Sequence, residues 1–399
     1  MSPAVTPRSA GSAAPARAVT PATFSSPTAP AGYAWEATSE EVAARYGVRI
    51  EDVRRFDLNT SPAPPALAAR VLATARFDVP LSEYPPSDYR RLVTAAGAAY
   101  GCGRDEVIVG AGADEILDLC AKAFLSPGRR AVVPGPTYPM YRILTEQRGA
   151  DVVSVPRRGP SEGYAIDVSA VRAAARTADV VWLCDPNNPT GRREPDGVIP
   201  TLLEALIGDA AGEARRAPTI VLDEAYAEFV GRSHLALRTA YPRLVVVRTL
   251  SKAYALAGLR VGFGIATPEL IAELAPYRPP GSVSVPSIGV AAAALADGVG
   301  MQANVAAVSA ERTRLADALD ALGWTAVPSV TNFVLVRLGS PERAAAAAEA
   351  LLSRGLVPRT FGARHPLAAF LRLTVRTAAD DDLLLDAARA FEAGAGEER

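Results

Sequence analysis

Of the 42 Lys plus Arg residues in this 399-residue chain, only Lys122 and Lys252 are lysine, so 40 are arginine. Lys252 sits in TLSKAYALAGLRVG, residues 249–262. Arginine is effectively always protonated and cannot condense with an aldehyde, whereas a lysine with a lowered pKa is a nucleophile that forms Schiff bases. One surviving lysine is also compatible with chance, so its meaning rests on the motifs around it. Those motifs follow short β-branched runs. DPNNPTG (185–191) follows DVVWLC, and DEAYAEF (223–229) places Asp223 at the end of a run with Tyr226 three residues on. LVVVRT leads into LSKAYALAGLRVG, which groups Thr249, Ser251 and Lys252, with Arg260 eight residues beyond the lysine. EVIVG leads into AGADE (111–115), where small residues open a helix whose free N–H groups and dipole favour a phosphate.

One ligand accounts for all of these together: an aldehyde-bearing, phosphorylated nitrogen heterocycle. Lys252 would hold the aldehyde. Asp223, as a carboxylate, would keep the ring nitrogen protonated and so make the ring an electron sink. Tyr226 and Asn188 would donate to a ring hydroxyl. Thr249, Ser251, Arg260 and the turn Gly112, Ala113, Asp114 would hold the phosphate, and Tyr138 of GPTYPMY (135–141) would stack on the ring face.

Positioning these groups requires strands that end at one edge. Seven strand candidates alternate with alanine-rich helical stretches: 106–110, 130–134, 151–156, 179–184, 218–223, 244–249 and 261–266. That alternation implies a mainly parallel seven-stranded sheet covered on both faces, a three-layer α/β domain whose ligands sit at the carboxyl ends of the strands. After residue 279 the pattern changes to helices with a few strands, which predicts a smaller α+β domain over 280–399. Residues 35–83 are expected to pack with it, opening on a capping box at Thr38-Ser39-Glu40-Glu41 and a helix ended by Gly47. The large domain is then 84–279. Residues 1–34, rich in Ala, Pro, Ser and Thr, read as a disordered tail.

Composition narrows the field further. Hydrophobic content of 49%, charged content of 21% and a formal net charge of -1 describe a soluble globular chain with no basic stripe for nucleic acid. No apolar run is long enough for a membrane span, and a cytoplasmic location is expected. Three widely spaced cysteines, Cys102, Cys120 and Cys184, fit reduced core thiols. The two histidines, His234 and His365, have no partner at metal-ligand spacing, so no metal site is expected and both read as solvated loop residues.

The motif set YPPSDY (84–89), GADE (112–115), GPTYPMY, NNPTG (187–191), DEAYAEF, TLSKAYALAGLRVGFG (249–264), PSVTNFVLVR (328–337) and LRLTV (371–375) resembles fold type I pyridoxal-phosphate aminotransferases of the class I/II group, and within it the histidinol-phosphate aminotransferases. The resemblance spans roughly residues 36–392. It implies pyridoxal 5'-phosphate as cofactor and a homodimer in which Tyr84 reaches the cofactor phosphate of the other subunit. It also places Arg372, and thirteen residues before it Arg359, on the anionic end of the substrate, with Asn59 in the substrate loop. Two positions depart from the family pattern: Arg376 stands where a glycine is usual, and Asn59-Thr60-Ser61-Pro62 replaces a more acidic loop. The implied activity is transamination of L-histidinol phosphate with 2-oxoglutarate, giving imidazole acetol phosphate and L-glutamate. Aromatic amino acid aminotransferases and L-threonine-O-3-phosphate decarboxylases share nearly all these motifs and stand as alternatives. A cofactor-sensing regulator would need a DNA-binding domain ahead of the aminotransferase-like part, and residues 1–34 are too short and too proline-rich for one.

Overall fold

The structure is a computed structural model that describes residues 32–74, 77, 79–212 and 216–397; residues 1–31 of the expected 1–34 tail lie outside them. The described residues contain twelve strands in chain order: β1 (Arg54–Arg55), β2 (Val107–Gly110), β3 (Arg130–Gly135), β4 (Asp151–Pro156), β5 (Val180–Cys184), β6 (Thr219–Asp223), β7 (Leu244–Thr249), β8 (Gly262–Ile265), β9 (Thr325–Val327), β10 (Phe333–Arg337), β11 (Leu356–Val357) and β12 (Phe370–Thr374). Strands β2 to β8 form one sheet in the order β2-β8-β7-β6-β5-β3-β4. All are parallel except β8, which runs antiparallel between β2 and β7. Every residue of β5, β6 and β7 is buried, as expected of central strands with helices on both faces. Helices pack on each side and close two apolar layers, one around Leu92, Leu202, Val246 and Phe263, the other around Ile116, Tyr141, Trp182 and Val245.

A second core forms around Trp324, Phe333, Leu371 and Leu384, under the antiparallel sheet β12-β10-β9 and the helices Val299–Ala321, Pro341–Leu352 and Ala378–Glu397. The amino-terminal segment joins it through the parallel pair β1 and β11 and through the fully buried Phe56. The capping box read at Thr38 is present: its hydroxyl accepts from Glu41 N at 3.2 Å, and Glu41 Oε2 accepts from Thr38 N at 2.7 Å. Gly47 ends that helix at φ 69°. No single described helix is long and apolar enough to cross a membrane.

Candidate active site

The carboxyl ends of the parallel strands open on a cavity of about 650 Å³. Its walls bring together Asn59, Ala113, Asp114, Tyr138, Asn188, Asp223, Tyr226, Thr249, Ser251, Lys252, Arg260, Arg359 and Arg372, which is nearly the whole set proposed from sequence. Asp223 ends β6, and Asn188 lies in the loop after β5. Thr249 ends β7, and Lys252 and Arg260 lie in the connection to β8.

Lys252 stands at the centre of this arrangement. Its Nζ donates to the Asn59 carbonyl at 3.1 Å, lies 3.4 Å from the Leu58 carbonyl and sits 5.8 Å from the centroid of the Tyr226 ring. Burial, aided by the Arg372 charge, pushes its pKa down to about 8. A neutral amine is thus accessible at this position near physiological pH. Asn59 adopts φ 53°, a left-handed conformation that asparagine tolerates better than most residues. That turn lets its amide donate to Tyr226 Oη at 3.0 Å while its carbonyl receives Lys252.

Asp223 is the buried acid. Burial pushes its carboxyl up to about 6, against donation from Tyr141 Oη at 2.8 Å and Ala225 N at 3.0 Å. Tyr226 is also buried, and its hydroxyl pKa is raised chiefly by desolvation, which keeps it a neutral donor. Asn188 Oδ1 accepts from Arg372 Nη1 at 2.6 Å, so its amide group is directed away from that guanidinium.

At the other end, the helix Ala113–Phe124 begins at Gly112, whose φ of 83° favours glycine. A Cβ there would strike the Arg260 guanidinium, and a Cβ on Gly262 of β8 would strike the Gly112 backbone. Two glycines are therefore needed for strand, helix terminus and guanidinium to converge. Asp114 is held by Tyr138 Oη at 3.0 Å and Arg260 Nη2 at 3.3 Å, and the Thr249 and Ser251 hydroxyls lie 2.9 Å apart. Helix N–H groups, two hydroxyls and an arginine form an anion cup.

On the substrate side, Arg359 and Arg372 face each other across an antiparallel backbone bridge, 3.0 Å in each direction. Arg372 is buried, donates to the Asp57 carbonyl, and leaves its Nε without a partner among the described residues. Arg359 donates to the Ala34 carbonyl at 2.6 Å, pairs with Glu36 at 3.5 Å and stacks over Tyr33 at 5.3 Å. Tyr33 and Ala34, assigned to the tail on composition, thus belong to the site's surroundings, and Tyr33 and Trp35 line the cavity.

Tyr84, expected at the partner subunit's site, is 90% exposed and does not line the cavity of its own chain. Arg376 turns away from the site, donating to Asp380 Oδ2 at 3.0 Å and to the Arg55 carbonyl at 3.3 Å. His234 is no solvated loop residue, because its Nε2 lies 2.9 Å from Asp185 Oδ2 and its side chain is only 13% exposed. Tyr141, Asp57, Tyr33 and Trp35 are among the site residues that sequence reasoning missed. Tyr141 stood inside the quoted GPTYPMY, three residues after Tyr138.

An amine with a lowered pKa, a buried carboxylate, a phenol donor and an anion cup around one cavity fit pyridoxal phosphate group by group, and the glycine cradle leaves room for its phosphate. Sheet order and site together define a fold type I aminotransferase. The chain belongs to the aminotransferase class I and II family, whose model matches residues 57–391. It is 37% identical to the histidinol-phosphate aminotransferase of Roseiflexus castenholzii, over 87% of this chain and 92% of that one. To the enzyme of the same name from Symbiobacterium thermophilum it is 35% identical, over 86% and 94%. The crystal structure of histidinol-phosphate aminotransferase from Sinorhizobium meliloti, in complex with pyridoxal-5'-phosphate, superposes with a TM-score of 0.82 at 25% identity, covering 94% of this chain and 99% of that one.

Proposed function

We propose that this chain is a pyridoxal-phosphate-dependent aminotransferase that takes the amino group of L-histidinol phosphate and passes it to 2-oxoglutarate. The observation that carries the choice of donor is the pair Arg359 and Arg372, two guanidiniums on neighbouring backbone segments facing the same cavity as Lys252. Guanidinium forks match the oxygens of a phosphate or a carboxylate, and two at one site favour a doubly charged group. The names of the relatives support the same reading.

When bound, pyridoxal phosphate supplies an aldehyde that receives the donor's nitrogen and a ring that withdraws electrons from the carbon that loses a proton. The protein's residues do the rest. Lys252 Nζ, with its lowered pKa, takes the proton from the donor's Cα. Asp223 presents an anionic oxygen to the ring nitrogen and moves no proton itself. Tyr226 and Asn188 donate to the ring hydroxyl, while Tyr138 covers one face. Gly112, Ala113, Asp114, Thr249, Ser251 and Arg260 hold the phosphate through backbone N–H, hydroxyl and guanidinium donors. Arg372 and Arg359 receive the anionic end of the donor, then that of 2-oxoglutarate. Asn59 keeps the Tyr226 hydroxyl oriented. We place Tyr84 in a homodimer, reaching the phosphate of the partner's site, and the enzyme in the cytoplasm.

Single-turnover absorbance of the pyridoxal form tests the assignment. L-histidinol phosphate, L-phenylalanine and L-threonine phosphate are mixed with it separately, without keto acid. Rapid, complete conversion to a pyridoxamine spectrum with histidinol phosphate is the expected result. Faster conversion with phenylalanine would make the enzyme an aromatic aminotransferase. Carbon dioxide release from threonine phosphate would make it a lyase.

A further inference from the structure

Asp223 is a carboxylate enclosed by the protein, and burial alone would make it take up a proton. The groups facing it come from several elements: Tyr138 and Tyr141 from the segment after β3, Asp114 from the helix after β2, Cys184 from the end of β5, and Tyr226 and Lys252 from the segments after β6 and β7. Asp114 is a like charge and opposes ionisation, whereas burial holds Cys184 and the tyrosines in their neutral forms. Among the described residues, only Tyr141 Oη and Ala225 N donate hydrogen bonds to the carboxylate. The backbone donor is fixed by the turn. The phenol is the part that a different side chain would change.

Tyr141 is held in place more firmly than a chance contact requires. Its ring lies parallel to Trp182 of β5, with centroids 5.5 Å apart and planes 8° apart, and meets Tyr138 edge-on at 5.7 Å. Thr145, one helical turn later, accepts from Trp182 Nε1 at 3.1 Å and donates to the Tyr141 carbonyl at 2.7 Å. Helix Met140–Gln147 and strand β5 are thereby tied to each other through the tyrosine's own supports. Swinging the hydroxyl away from Asp223 would break the stack and bury an unpaired phenol, so the donor is pre-aimed.

We infer that Tyr141 is a positioning residue that keeps Asp223 anionic and aimed at the ring nitrogen of the bound heterocycle. The assignment rests on the cofactor reading above. An ionised Asp223 is what makes the ring an electron sink, and a protonated one would leave the ring nitrogen without its counter-charge. A charge-assisted bond from a fixed phenol favours the ionised form over the neutral one.

Tyr141→Phe keeps the ring and its stack and removes only the donor. Two quantities are read at pH 7: the infrared band of a protonated carboxyl in the apoenzyme, assigned to Asp223 by its loss in Asp223→Asn, and the dissociation constant of pyridoxal phosphate. The expected result is growth of the band together with roughly tenfold or greater weakening of cofactor binding. Site-specific 3-fluorotyrosine at 141, a more acidic donor, is expected to move both readings the opposite way from Phe. A purely structural tyrosine would not follow donor acidity. A Phe variant with wild-type band and binding within twofold would overturn the inference, and so would a fluorotyrosine variant that behaves like Phe. Where Phe disturbs folding, the fluorotyrosine protein carries the test alone, and readings identical to Tyr overturn it. If the wild-type protein takes up no pyridoxal phosphate, the cofactor reading falls, while the apoenzyme band still decides the Tyr141–Asp223 pairing.

Discussion

The inner wall of the cavity and its outer rim are built on different principles. On the wall, Asp223, Tyr226, Thr249 and Ser251 are each at most 6% exposed and sit at or within three residues of a strand end. Their positions follow from the sheet register, which pairs Cys184 with Asp223 and Asp223 with Val247. On the rim, Arg359 is held by Ala34 and Glu36, more than 320 residues away in sequence, and Trp35 is 73% exposed. The wall is fixed by hydrogen bonds that the backbone must make in any case. The rim is fixed by one ion pair, Arg359 with Glu36, and by a hydrogen bond to the Ala34 carbonyl, side-chain contacts made outside the sheet. On the proposed function, chemistry common to many amino donors would reside in the rigid part, and choice among donors in the adaptable part.

The sharpest break of this comparison is Lys252→Ala, which is expected to lower single-turnover transamination by about 10⁴-fold while circular dichroism and thermal unfolding remain those of a folded protein. Near-normal turnover in that variant would remove the lysine from the mechanism. Gly262→Ala attacks the wall through packing alone. Its methyl group must displace the Gly112 backbone, so calorimetry is expected to show about 1–3 kcal/mol lost, together with weaker cofactor uptake. Undiminished cofactor affinity would mean that the helix terminus does not form the phosphate cup.

The lysine's environment can be read without any substrate. In the apoenzyme, amine-selective labelling of the peptide containing Lys252 is expected to rise with pH with a midpoint of about 8, because the neutral amine is the reactive form and burial depresses the folded pKa below 10.5. Mass spectrometry that puts the midpoint near 10.5 would contradict that desolvation. Removing the nearby cation by Arg372→Ala should move the midpoint upward. The smallest effect belongs to the rim. Arg359→Ala is expected to raise KM for a phosphorylated donor by about tenfold with kcat little changed, and Glu36→Ala to lower KM slightly by freeing the guanidinium. Equal losses in kcat and kcat/KM for Arg359→Ala would move that residue from rim to wall.

The wall was legible in the sequence because each of its residues closes a β-branched run or follows one within three residues. Burial on both faces of β5, β6 and β7 leaves no polar alternation to confuse the period, so the strand ends could be read directly, and Asp223 and Thr249 with them. Tyr141 was not legible, because its role depends on a carboxylate 82 residues later that only the sheet brings near. Tyr33 was hidden by an Ala- and Pro-rich context that reads as tail, although its ring finds Tyr138 and Arg359. Arg376, a departure from the family pattern, is captured by Asp380 four residues along, a local contact that a family comparison does not weigh. His234 was misjudged for want of its partner Asp185, which lies 49 residues earlier on another loop.

The antiparallel course of β8 has one more consequence. Because β8 returns beside β7, with Thr249 opposite Gly262 and Leu250 N bonded to the Val261 carbonyl at 3.1 Å, the segment between them is stapled at both ends to one spot on the sheet. Lys252 and Arg260 ride on that closed loop and cannot drift apart as independent elements would. The loop acts as a ruler, holding one amine of lowered pKa and one arginine at a set spacing, and on the proposed function it gauges a ligand by the distance between its aldehyde and its phosphate.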